Sequence, residues 1–277
     1  MHSRLIRAFV ALALASIISP AFAAAPATFP PGEADAKARL NSTPRHGEFI
    51  EVPSASGPRR AWISYPERSD RAGVVIVIHE IFGLSDWIRS VGDQLAADGF
   101  IAVVPDLLSG LGPGGGGTDS FPTRDDVVRG VRSLSASDAD ARLSSVRAWA
   151  NRLPAANGKW ATLGFCWGGA RSFEMAAQDT APDGAVVYYG AAPDSLTLTR
   201  VRAPILGHFG ADDARVNGTL PPARVILAAA DRSFEVQLHA GAGHGFLRQQ
   251  ADREGANLKA ARAAWPSTVK FLRQRLK

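Results

Sequence analysis

The sequence predicts an α/β fold, a mainly parallel sheet flanked by helices on both faces. Three observations carry that prediction. Residues 74–78, Val-Val-Ile-Val-Ile, form a continuous β-branched run, as a strand buried on both faces requires. From there to the C-terminus, strand-like and helix-like segments alternate, the pattern of parallel strands joined by crossover helices. The chain has 277 residues, 46% of them hydrophobic and 21% charged, enough apolar material for one large core and too much for a disordered chain.

In chain order, Arg4 and Arg7 precede an apolar run over residues 8–18, and Ala21-Phe22-Ala23 supplies small residues at a cleavage site. Residues 1–23 therefore read as a cleavable secretory signal, with an apolar part too short to span a bilayer. A periplasmic or secreted protein without stable membrane insertion is expected. Residues 24–44 read as a flexible lead-in and residues 45–277 as one domain. Gly47–Val52 and residues 60–65 alternate as two antiparallel strands. After the buried strand at 74–78, residues 86–98 carry Trp87, Ile88, Val91 and Leu95 at helical spacing and end at Gly99. Strands follow at 101–104, 160–163, 185–189, 204–209 and Phe234–His239, with helices at 139–153, 168–178, 222–230 and 266–276. The glycine-rich stretch around residues 112–117 lacks the Gly-Lys-Ser/Thr ending of a phosphate loop. It reads as a flexible loop at the carboxyl edge of the sheet, on the rim of an active site.

The net charge is +5, and it falls to +3 once Arg4 and Arg7 leave with the signal. The remaining arginines are scattered rather than blocked, so neither nucleic acid nor a membrane surface is an expected partner. The chain has one cysteine, Cys166. It cannot form an internal disulfide, and a lone thiol in an exported protein needs either deep burial or chemistry to explain it. Its six histidines and one cysteine show no metal-site spacing; no metal or other cofactor is expected.

Gly164-Phe165-Cys166-Trp167-Gly168-Gly169 has the form of the G-x-S-x-G nucleophile elbow, with cysteine in place of serine. A strand must turn there sharply into a helix, and glycines leave room for the strained nucleophile. The helix N-terminus that follows is expected to lower the thiol pKa. Past Cys166 the chain supplies Asp212-Asp213 after one strand and Gly243-His244-Gly245 after the next, the nucleophile–acid–base order of α/β-hydrolases. Either aspartate suits the acid's role. His208 and His239 lie within strands and read as packed or hydrogen-bonded residues. His79-Glu80-Ile81-Phe82-Gly83-Leu84 directly follows the buried strand. The Ile81 N–H sits where this fold draws one oxyanion donor, the other being the Trp167 N–H. His79 reads as a satisfied, partly buried histidine, and Glu80 as a carboxylate that needs a polar site or a partner.

From about Gly47 to the C-terminus these motifs, with Ala242-Gly243-His244-Gly245-Phe246, resemble the dienelactone hydrolase family. The resemblance implies an α/β-hydrolase fold and a Cys-Asp-His triad that cleaves an ester or lactone of a small molecule without a cofactor. It selects Asp213 as the acid, because Asp213-Ala214-Arg215-Val216 resembles the family's motif. It implies catalytic roles for Cys166, Asp213 and His244, and a thiol-associated carboxylate at Glu80. It also implies substrate-carboxylate binding by Arg248, with Arg124 as a second arginine that no motif anchors. A monomer is expected.

Overall fold

The structure, a computed structural model, describes residues 28–55 and 57–277; the signal expected over 1–23 lies outside the described residues. The elements run α1 (Glu33–Ser42), β1 (Gly47–Val52), β2 (Arg59–Ser64), β3 (Ala72–Ile78), α2 (Asp86–Ala97) and β4 (Ile101–Pro105). Then come α3 (Arg124–Ser133), α4 (Ala136–Ala150), β5 (Ala156–Phe165), α5 (Trp167–Met175), β6 (Gly184–Tyr188) and α6 (Ser195–Thr199). The chain ends with β7 (Ile205–Gly210), α7 (Ala214–Asn217), α8 (Leu220–Ala229), β8 (Phe234–His239) and α9 (Ala256–Arg275). The strands form one sheet in the order β1-β2-β4-β3-β5-β6-β7-β8. β1, β2 and β4 pair antiparallel, and every pairing from β4 through β3 to β8 is parallel. No helix among the described residues is long and apolar enough to cross a membrane.

The pleat of β3 explains the layering. Val75 and Val77 join Trp87, Val91 and Leu95 of α2 and Ala260, Ala264 and Trp265 of α9 on one face. Val74, Ile76 and Ile78 join Leu143, Val146 and Ala150 of α4 on the other. A strand with both faces covered can alternate nothing but apolar residues, hence the unbroken β-branched run. Parallel pairing also delivers the carboxyl ends of β3, β5, β7 and β8 to one edge, so that the loops following them share a rim.

Three expectations need correction. Residues 24–44, read as a flexible lead-in, contain the helix α1, whose Ala36 is fully buried. Glu33 and Asp35 favour its positive N-terminal end. The approach to it is pinned: Trp87 Nε1 donates to the Pro31 carbonyl at 3.1 Å and Gln250 Nε2 to the Pro30 carbonyl at 2.9 Å. The last helix begins at Ala256, not at residue 266, and Pro266 lies inside it. Proline there forfeits one backbone bond, but Ala260, Ala261, Ala264, Trp265, Thr268, Phe271 and Leu272 are buried on either side of it, and packing prevails. Finally, α3 was not expected. It buries only Val127 and Val131, too few to show a periodic stripe, and starts where Thr123 accepts a hydrogen bond from the Asp126 N–H.

Trp87 links the N-terminal segment to the core, since its ring is 1% exposed and meets Phe165 edge-to-face at 4.9 Å. Trp87→Ala should lower unfolding free energy by about 3–5 kcal/mol, read as a fall in the urea midpoint; a change within measurement error would contradict this packing.

Candidate active site

Cys166 stands between β5 and α5 with φ 53° and ψ −114°, a conformation costing a non-glycine residue on the order of 1–3 kcal/mol. Backbone bonds hold it there: its N–H donates to the Tyr188 carbonyl at 3.0 Å, and its carbonyl accepts from Ala170 N–H at 3.2 Å. Glycine is required on both sides by close approach. A Cβ on Gly164 would lie 1.9 Å from the Gly168 carbonyl oxygen, and one on Gly168 would lie 2.3 Å from that of Ile78.

Around the half-buried sulfur, burial pushes the thiol pKa up to about 11, and the charge of Glu80 adds to the rise. The Trp167 N–H and Arg215 pull the other way. The expected depression by the helix N-terminus is therefore outweighed: the resting sulfur is a neutral thiol at physiological pH. One helix end supplies partial charge only, whereas loss of water and a facing carboxylate both penalise the anion.

Asp213 leaves the end of β7 as the cap of α7, its Oδ1 accepting from Val216 N–H at 3.3 Å. Its other oxygen meets His244 Nδ1 at 2.6 Å. A proton on Nδ1 shared with that carboxylate leaves Nε2 as the free acceptor. Asp212 is turned away and pairs with Arg253 at 2.7 Å, with both side chains about half exposed. The structure thus brings Asp213, and not Asp212, to the imidazole. Tyr189, which follows β6, packs its ring 5.2 Å from that of His244.

Glu80 is 3% exposed. Its Oε1 lies 2.6 Å from Arg248 Nε, close enough for strong attraction but outside hydrogen-bond geometry, so both atoms lack a hydrogen-bond partner. Burial raises its pKa to about 7, against the opposing charge of Arg248 and with a further rise from Glu33. His79 is fully buried, with Nδ1 2.7 Å from the Glu80 carbonyl oxygen and Nε2 accepting from Leu107 N–H at 3.2 Å. It holds the loop and has no nitrogen left over. His208 is likewise buried, with Nε2 3.1 Å from Thr268 Oγ1 and Nδ1 3.3 Å from His239.

The Ile81 N–H has no backbone acceptor among the described residues, and its side chain packs in the same apolar cluster as Trp167. The glycine-rich segment is folded rather than slack. Gly110 and Gly112 both donate to the Gly116 carbonyl at 3.0 Å, and Asp106 accepts from the Thr118 N–H and hydroxyl, each at 2.7 Å. Thr118 Oγ1 accepts in turn from Leu84 N–H at 3.0 Å, which ties the segment to the loop after β3.

Arg124 and Arg248 converge on Phe82, their guanidinium carbons 3.6 and 4.8 Å from the ring centroid. Both pair with Glu33 at the start of α1. Sequence reasoning did not single out Glu33, Phe82 or Tyr189. Glu33 could be read only as a first-turn acidic residue. The Tyr189 hydroxyl, buried without a hydrogen-bond partner, carries no sequence signal at all.

The sequence model of the dienelactone hydrolase family matches residues 60–276. The chain is 32% identical over 236 residues to a carboxymethylenebutenolidase of a Pseudomonas species, covering 82% of this chain and 95% of that protein. A Salmonella typhimurium relative is 30% identical over 268 residues, covering 89% of this chain and 97% of its own length. A solved structure from Klebsiella pneumoniae has a TM-score of 0.73 at 24% identity, covering 84% of this chain and all of that one, and it speaks for the fold. The chain therefore belongs to the dienelactone hydrolase family and is a hydrolase acting on ester or lactone bonds of small molecules.

Proposed function

We propose that the hydrolysis proceeds through a thioester on Cys166, with His244 as general base and acid and Asp213 as its orienting carboxylate. The observation that carries this reading is the 2.6 Å Asp213–His244 contact beyond the ends of β7 and β8, on the same edge of the sheet as the strained Cys166. His244 Nε2 takes the thiol proton, assisted by Glu80, and the sulfur attacks the carbonyl carbon of the ester. The N–H groups of Trp167 and Ile81 hold the resulting oxyanion. As the tetrahedral species collapses, the bond to the alcohol oxygen breaks, and the imidazolium returns the proton to that oxygen. Water then attacks the thioester and gives a proton to His244; the C–S bond breaks, the carboxylic acid leaves, and the sulfur recovers its proton.

The neutral resting thiol fits an enzyme that generates its nucleophile only with substrate in place. A thiolate suits esters and lactones better than amides, whose amine is a poorer leaving group.

Hydrolysis of an activated aryl ester and of an unsaturated lactone tests the reading directly. Cys166→Ala should abolish both activities. Asp213→Asn should lower kcat by about 10³-fold or more, since it disturbs the tautomer and charge of the base, whereas Asp212→Asn should change kcat less than about threefold; equal losses at the two positions would refute the assignment. Alkylation gives an independent readout. With its pKa at about 11, Cys166 holds roughly a hundredfold less thiolate at pH 8 than a thiol with a pKa near 9. Iodoacetamide should therefore react slowly with it and speed up as pH rises. Glu80→Gln removes a like charge and should speed alkylation at pH 8 while slowing ester hydrolysis, and a parallel change in both rates would exclude the base-assisting role. Export belongs to the same proposal: protein recovered outside the cytoplasm should have the intact mass of residues 24–277, and a mass that includes residues 1–23 would overturn it.

A further inference from the structure

We propose that Glu33 is a built-in occupant of an anion subsite and determines specificity, turning the enzyme from substrates with an acid-side carboxylate towards uncharged esters and lactones. The inference rests on the thiol-hydrolase reading for its catalytic consequence, though not for the subsite itself. Two guanidinium groups stacked on one phenyl ring repel each other unless an anion lies between them, and a bidentate carboxylate is the anion that fits such a pair best. Here the anion comes from the chain itself. Glu33 Oε1 meets Arg124 Nη2 at 2.9 Å, and Oε2 meets Arg248 Nη1. Each oxygen serves one arginine, so the carboxylate bridges the pair. The Nε of the same Arg248 faces Glu80 Oε1 at 2.6 Å, and the charge of Glu80 in turn acts on Cys166. The occupied position is thus linked to the thiol through two side chains, Arg248 and Glu80.

Glu33 is held there by more than its charge. Its backbone N–H donates to the carbonyl of Arg248, the residue its carboxylate binds, at 2.9 Å. The preceding proline carbonyls are bonded to Trp87 and Gln250, and Glu33 begins α1, where the helix dipole favours a carboxylate. A carboxylate fixed in this way competes as an intramolecular ligand, with an effective concentration of about millimolar or above. An incoming carboxylate must displace it to gain the same contacts. Charge balance points the same way. Arg124 and Arg248 are matched by Glu33 and, in its ionised form, Glu80, so one more carboxylate would then leave the cluster with an excess negative charge. Glu33 lies outside residues 60–276, the part of the chain that the family match covers.

The test compares two near-isosteric esters, 4-nitrophenyl butyrate and the 4-nitrophenyl half-ester of succinic acid, with uncatalysed hydrolysis subtracted. The protein should favour the butyrate by at least tenfold in kcat/KM, and Glu33→Gln should raise the succinyl-to-butyryl ratio by at least tenfold. Calorimetric titration with succinate gives a readout that needs no catalysis: Glu33→Gln should bind at least tenfold more tightly than the unaltered protein. A preference of the unaltered protein for the succinyl ester would overturn the proposal, even if the variant failed to fold. An unchanged ratio together with unchanged succinate affinity would also overturn it. If hydrolysis survives Cys166→Ala, the thiol reading fails instead, and the succinate titration alone decides the role of Glu33.

Discussion

At Cys166 the backbone must leave a buried strand, reverse and start a helix with no space for a side chain on Gly164 or Gly168. Everything around the site follows from accommodating that turn. β5 is clamped between β3 and β6, with Ile78 opposite Gly164 and Tyr188 opposite Phe165, so the loops after all three strands leave the sheet at the same level. The Tyr188 carbonyl accepts from the strained residue. β7 and β8 continue the parallel register and bring Asp213 and His244 out on the same edge. A conformation that costs a few kcal/mol locally persists only where neighbouring elements over-determine it, and here the buried central strands β3, β5 and β6 do so.

The site is also a small electrostatic machine. Glu80 and Arg248 are both almost entirely withdrawn from water, and their contact is short yet poorly aligned. Removing one partner of such a pair strands the other, with losses on the order of 3–5 kcal/mol, so the pair is costly to break and sensitive to any third charge nearby. Glu33 is that third charge. Its approach couples the N-terminal helix to the electrostatics of the proposed nucleophile through Arg248 and Glu80.

Much of this was legible in the sequence because it depended on local rules. The β-branched run of β3 could be read directly, Gly47–Val52 was read from alternation with its observed boundaries, and Phe234–His239 was placed with its observed boundaries as one of the later strands. The glycines flanking Cys166 announced the turn, and the spacing of Asp213 and His244 after successive strands announced their shared edge. What failed depended on distant partners. Pro266 mimicked a helix start because nothing local reveals that ten residues before it pack on the sheet. The segment 33–42 resembled a tail because its order comes from Trp87, Arg248 and Gln250. The thiol pKa was misjudged for the same reason: a helix N-terminus can be read from sequence, but the depth of burial and the direction of Glu80 cannot.

The neutral state of Cys166 bears on chemical survival as well as on turnover. Peroxides and disulfides consume thiolate far faster than thiol, and sulfenic acid, once formed, needs a second thiol to be rescued as a disulfide. This chain has no second cysteine to offer. By keeping the sulfur protonated at rest, burial and Glu80 withhold it from oxidants as effectively as from stray electrophiles. In the proposed mechanism, the barrier that delays the sulfur until an ester arrives is therefore also its protection from oxidation.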